Sequence, residues 1–231
     1  FEIDGGGFRC GGSFGFELSG DFTNINSSTR GYSNLGLDGV DLVISGNISL
    51  PTSTANLNFE ASEGKDNGSW TVTGNITGLA NVLLQNSFDN GELTLSGTNT
   101  YTGTTTIGGS IVGGTMFLNG SHTGGGNYIV SNSTLAGVGS TTSAVTINGG
   151  GTLSPGAGPG TISTGSLTIN GTLEIDADDN TPGTGHDQVI VTGTATLGAS
   201  SVLVIDTGAG LNPADSLVVI DNDGAGDAIT G

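Results

Sequence analysis

Basic residues are what this chain lacks most: 3 Lys and Arg stand against 21 Asp and Glu, a formal net charge of −18 over 231 residues. Polyphosphates and anionic lipid surfaces repel such a chain, which excludes a nucleic-acid or anionic-membrane binder. The single cysteine, Cys10, cannot close an internal disulfide, so it is a free thiol or an intermolecular bridge. No apolar run approaches the roughly 20 residues of a spanning helix, and no membrane insertion is expected within this segment. No stretch carries the apolar period of about 3.6 residues that marks a helix, so almost none is expected. The chain opens on Phe1 with no basic leader, so any signal peptide is expected to be gone already or to lie upstream.

Glycine is abundant instead. It fills 45 of 231 positions, well above the usual share of about 7%, and without the three-residue period of collagen. Leu, Ile, Val and Phe make up about a quarter of the chain, above the level of roughly 20% below which charged chains stay unfolded. A core is affordable but lean, and the length allows one domain or two.

From Val40 onward an apolar strand repeatedly ends in Ser, Thr or Asn followed by Gly, at Gly46, Gly74, Gly97, Gly120, Gly149, Gly171 and Gly193. The spacings are 28, 23, 23, 29, 22 and 22 residues. Such a period signals a solenoid, and strands as the only regular element make it a β-helix. Nine or so coils at about 4.8 Å each predict a rod of about 40–45 Å. Leu167, Ile169, Leu173 and Ile175 alternate with Thr168, Asn170, Thr172 and Glu174, placing one face in the lumen and one in water. Gly171 takes an inward place, and Val189 with Val191, Val202 with Val204, and Leu217 with Val219 read as further repeats of the pattern.

The charges are segregated: residues 93 to 173 hold no Asp, Glu, Lys or Arg. Equivalent side chains of parallel coils lie about 4.8 Å apart, where like charges repel. Thr, Ser and Asn ladders avoid that and can hydrogen-bond along the rod. The acidic C-terminal part then needs wider coils, charges placed in loops, or a cation.

In the middle lies the stretch 93–107, Leu-Thr-Leu-Ser-Gly-Thr-Asn-Thr-Tyr-Thr-Gly-Thr-Thr-Thr-Ile, two strand-like pieces around a turn of Gly, Asn and Thr. It resembles the β-strand repeat of bacterial autotransporter passenger domains. Residues 114–120, Gly-Thr-Met-Phe-Leu-Asn-Gly, match the second strand of the repeat, with Met116 where Leu is usual. Residues 153–161 match its Ser-Pro-Gly turn, and the resemblance runs from about Leu93 to Ile220. It implies a right-handed parallel β-helix displayed outside the cell, and it names no reaction.

Residues 1–35 hold five of the eight phenylalanines, spaced by glycines. They are expected either to cap the stack as an irregular segment or to add a strand to a neighbouring subunit's open edge. Residues 36–231 are then the repeated coils.

Calcium is the chemical candidate. Asp176, Asp178, Asp179, Asn180 and Asp187 offer hard oxygen ligands in one loop, and Asp221, Asn222 and Asp223 offer a second set. Neither matches an EF-hand or the Gly-rich calcium nonapeptide, and a solvated acidic loop that keeps the rod soluble is the plainer alternative. His122 and His186 sit among Gly and Thr about three coils apart and read as exposed turn residues. No serine sits in a Gly-x-Ser-x-Gly elbow that leads into a helix, and no catalytic residue is assigned. Seven Asn-x-Ser/Thr sequons, at Asn26, Asn47, Asn67, Asn75, Asn119, Asn132 and Asn170, are expected by chance in this composition.

The reading is an all-β, right-handed parallel β-helix. It serves as an extracellular structural or adhesive rod at a bacterial cell surface. It associates with like copies through its chain ends and touches surface glycans. The alternative is a β-helix enzyme that degrades polysaccharide as a lyase or glycosidase, whose site would need carboxylates converging from adjacent coils.

Overall fold

Alternation is what builds the strands. In the computed structural model, Leu167, Ile169, Leu173 and Ile175 are buried, while Thr168, Asn170, Thr172 and Glu174 face outward. The structure describes residues 2–3, 7–11, 16–18, 20, 22–24, 33–38, 41–51, 53, 56–61, 69–86, 91–109, 113–212, 214–223, 227 and 229–231. For 2–18, 22–38, 60–61 and 85–86 it describes backbone alone. Those residues contain no helix.

Every strand-to-strand pairing is parallel, and each strand pairs with the strand three places further along the chain. The result is a parallel β-solenoid with three strands per coil. One face is a ten-stranded sheet from Gly7–Gly11 to Ile229–Thr230, and a second is a nine-stranded sheet from Phe16–Leu18 to Val202–Thr207. The third face has a four-stranded part, ending at Ile76–Gly78, and a six-stranded part, beginning at Thr98–Asn99. The ladder is interrupted there because the Ile76 N–H donates to the Asn99 side-chain Oδ1 (2.9 Å) instead of to a backbone carbonyl. The faces remain joined at this point, since the Thr100 N–H donates to the Ile76 carbonyl at 2.8 Å. Ten strands span nine gaps of about 4.8 Å, a stack of about 43 Å. The right-handed winding expected above is the sense parallel crossovers take in about 98% of cases.

Inward residues of the three faces share one apolar core. On the nine-stranded face Leu42, Trp70, Leu93, Met116, Leu135, Leu153 and Leu173 form a continuous column in register. Trp70 packs edge-on against Phe59 across the lumen, with ring centroids 5.9 Å apart. Each such side chain, fully buried, contributes on the order of 1.5–3 kcal/mol.

The even glycine spacing proves to be a composite of three corners. Gly74, Gly97, Gly120 and Gly139 do form one column, each lying over the carbonyl of the preceding glycine, beginning at Gly46. Gly149 and Gly171 instead leave the ten-stranded face, and Gly193 bonds to Gly165 at another corner. The coils are correspondingly uneven. Tyr128 pairs with Val145, 17 residues on, whereas Ala195 pairs with Ile229, 34 residues on. The widest coils are the acidic C-terminal ones, one of the three solutions the charge map allowed.

One further expectation is corrected. Leu203 and Ile205, not Val202 and Val204, continue the inward positions of Leu173 and Ile175. An unbroken Val-Leu-Val-Ile run carries no phase, and a one-residue slip exchanges its faces. Leu217 and Val219 precede the strand Ile220–Asn222 and pack half-buried against the core. In the N-terminal segment, Gly7–Gly11 pairs with Ser33–Asp38 and Phe16–Leu18 with Asp41–Ile44, so these strands join the same sheets.

Candidate functional site

The third face carries polar residues inward where an apolar column would be expected. Ile48 and Ile76 occupy its inner positions in the early coils, but Asn99, His122 and Thr141 follow in register. All three are buried. His122 stacks on Tyr101, with centroids 4.2 Å apart and planes 19° apart, and meets Tyr128 edge-on at 5.5 Å. Its Nε2–H donates to the Tyr101 carbonyl at 2.8 Å, leaving Nδ1 without a partner. Burial holds the His122 pKa below the usual 6.5, with the bond to Tyr101 opposing this only in part. The Tyr101 hydroxyl bonds Thr105 at 2.6 Å and Tyr128 at 3.5 Å, and burial raises both phenols. This cluster is a neutral internal plug, wholly buried, and no substrate can reach it as it stands.

His186 is buried as well. The expectation of exposed turn histidines is therefore wrong for both. Short strands and close-packed turns among glycines bring side chains inward that composition alone assigns to loops. The pair remains about three coils apart: the His122 column passes through Thr141, then the coil of Ser163 and Thr164, before reaching that of Val191. They form no shared site.

The acidic loop is ordered by its own backbone. Asp187 is buried, and its two carboxylate oxygens accept from the Gly160 N–H (2.7 Å) and the Asp176 N–H (2.8 Å). It thereby ties this turn to the neighbouring coil. Burial pushes its pKa up to about 6, and the two backbone donors offset part of the rise. Asp179 accepts from the Thr181 N–H at 2.7 Å, which lowers its pKa. Asn180 reaches Asp215 at 3.5 Å. Asp176 is half-buried, while Asp178, Asp179 and Asn180 are exposed. Asp221 and Asp223 lie exposed around the strand Ile220–Asn222, which pairs with Gln188–Val191 immediately after Asp187. Among the described residues no three His, Cys, Asp or Glu side chains are grouped to hold a metal ion.

Outside the lumen, a cleft of about 250 Å³ lies where the ten-stranded face turns into the nine-stranded one. Glu92, Thr115, Thr134 and Thr152 form one wall, stacked in register on successive coils. Asn132, Ser133 and glycines 113, 114 and 150 form the other. Asn132 adopts φ +53°, a left-handed turn conformation that asparagine tolerates. Its Nδ2 donates to the Gly109 carbonyl and its own carbonyl accepts from the Gly113 N–H, which holds the loop in place. The Ser133 hydroxyl is buried without a partner.

Sequence reasoning missed both the plug and the cleft. Tyr101 and His122 were visible, but their meeting depends on register between coils. Glu92 was the available signal for the cleft, as the last charge before the neutral stretch. Asparagine ladders, in contrast, appear as expected: Asn81 Nδ2 donates to Asn56 Oδ1 at 2.8 Å, and the Asn75 N–H donates to Asn47 Oδ1 at 3.0 Å.

Comparison with family models, with curated proteins and with solved structures gives no match. The passenger-repeat resemblance therefore stands on its motifs alone.

Proposed function

We propose that this chain is a non-catalytic extracellular rod, a filament or surface-layer subunit or a passenger-like segment at a bacterial surface. Its work is geometric: parallel ladders and an apolar lumen hold length, and outward Thr, Ser and Asn columns offer repeated weak contacts to glycans or like copies.

One observation carries the reading. The strand Val202–Thr207 pairs on one edge only, and its inward residues Leu203 (50% exposed) and Ile205 (42% exposed) lie open where Leu173 and Ile175 below are buried. An open edge with an apolar inner face recruits further strands. A further coil, supplied by a second copy docked head-to-tail or by the same polypeptide, would continue all three faces in the same parallel sense; the docked copy is a heterologous contact that grows into filaments. The test is negative-stain microscopy at rising concentration. Particles longer than the 43 Å stack are expected, and their shortening in a Leu203→Lys, Ile205→Lys double variant. Single rods at every concentration would overturn the end-docking.

The polysaccharide-degrading enzyme is the second reading, and the Glu92 carboxylate in a surface cleft is the observation that favours it. Two-carboxylate hydrolysis needs a second acid roughly 5–10 Å away, whereas Glu92 is the one titratable residue among the described residues lining that cleft.

A further inference from the structure

We propose that the cleft beside Glu92 is a binding site for an uncharged, extended oligosaccharide lying along the solenoid axis. The proposal rests on the reading of the chain as a surface rod for its purpose, though not for its chemistry. Two observations converge on it. Among the described residues the lining holds no large apolar side chain and no cation, which disfavours an apolar or anionic ligand and suits a neutral polyol. The column Glu92, Thr115, Thr134, Thr152 repeats hydrogen-bonding groups once per coil, about 4.8 Å apart. A β-linked glycan in extended form advances one ring over a similar distance, so successive rings meet successive rungs.

The walls are fixed before any ligand arrives. Register holds the threonines, the Asn132 bonds hold the loop, and Gly150 adopts φ +77°. A Cβ at Gly150 would come within 2.2 Å of Asn132 Oδ1, so that side chain and the loop it holds depend on glycine there. With no aromatic platform among the described lining residues, affinity per ring is low and is raised by repetition along the column. Glu92 makes the one charge-assisted bond, accepting from a sugar hydroxyl, and this is the strongest single contact.

The test is an amide chemical-shift titration of the full chain with cellotetraose, which is straight, and maltotetraose, which curves. Cellotetraose is expected to bind at millimolar concentration, with shifts confined to residues 92, 113–115, 132–134 and 150–152. Glu92→Gln should weaken it about tenfold. Thr168→Val, on the ten-stranded face, should change nothing. Absence of localised shifts, equal binding of maltotetraose, or an unaltered Glu92→Gln variant overturns the assignment. Intact, unbound sugar removes the cleft and leaves the rod reading untouched. Bound sugar that is cut over time removes the non-catalytic reading and leaves the cleft standing.

Discussion

Replacing Gly120 with alanine puts the stacking geometry under direct strain. Gly120 lies over Gly97, and a Cβ on it would come within 2.1 Å of the Gly97 carbonyl oxygen and 2.6 Å of the Ser96 carbonyl. Ordinary contact begins at 3.4 Å, so the coils must part locally by more than 1 Å. Gly120 is not in the left-handed region, so the cost is steric rather than conformational. Two ladder bonds run through this corner, from the Gly120 N–H to the Leu95 carbonyl (2.8 Å) and from the Ser121 N–H to the Gly97 carbonyl (3.1 Å). Losing both costs about 1–3 kcal/mol at the net value of a hydrogen bond. For a chain of this length that corresponds to a fall in Tm of roughly 2–12 °C. Gly149 is the matched control, because a Cβ there meets nothing within 4 Å. Gly149→Ala should be neutral, or stabilising by up to about 1 kcal/mol through the unfolded chain. Thermal unfolding followed by far-ultraviolet circular dichroism reads both variants. Equal melting of Gly120→Ala and the parent, or an equal loss in Gly149→Ala, would refute the corner column.

Trp70→Ala should cost about 3–5 kcal/mol in urea unfolding, because the largest side chain of the lumen leaves a cavity against Phe59. His122 is held neutral in the folded state with a lowered pKa, so its contribution is present above the usual 6.5 and is lost as pH falls below it. His122→Asn, carrying the residue of its register partner Asn99, should flatten that part of the acid-unfolding curve. Asp187 has the opposite sign. Its raised pKa lets the folded chain hold a proton the unfolded chain does not, so its contribution falls as pH rises from 3.8 to about 6, and Asp187→Asn should abolish that slope. Calcium is tested by chelation. The Asp187 oxygens face backbone N–H groups, and no change in Tm on adding chelator is expected; a fall would show a bound metal, at Asp176, Asp178, Asp179 and Asn180 or at Asp221 to Asp223.

The fold was legible because its signal is local. Alternation at Leu167 to Ile175 and the absence of a helical period required no knowledge of which coil lies above which. What failed was everything that depends on register. Gly149 and Gly193 resemble Gly97 in sequence but occupy different corners, since turns of Ser, Thr or Asn with Gly serve all three. The phase of Val202 to Ile205 is set by pairing with Thr172–Ala177 and not by its own composition. The burial of His122 follows from Tyr101 and Tyr128 arriving from neighbouring positions in the stack, which no single window of sequence records. The cleft at Glu92 gathers residues from four successive coils and was invisible for the same reason.

The central claim is that one wall of the solenoid is a single column in which Asp41, Ser69, Glu92, Thr115, Thr134, Thr152, Thr172 and Val202 follow one another rung by rung. Pairs of spin labels on this column, in a Cys10→Ser background, measure it directly. Distances from Asp41 should grow linearly with rung number, from about 14 Å at Thr115 to about 24 Å at Thr152 and about 34 Å at Val202. Distances that level off or turn back along that series would contradict the stack.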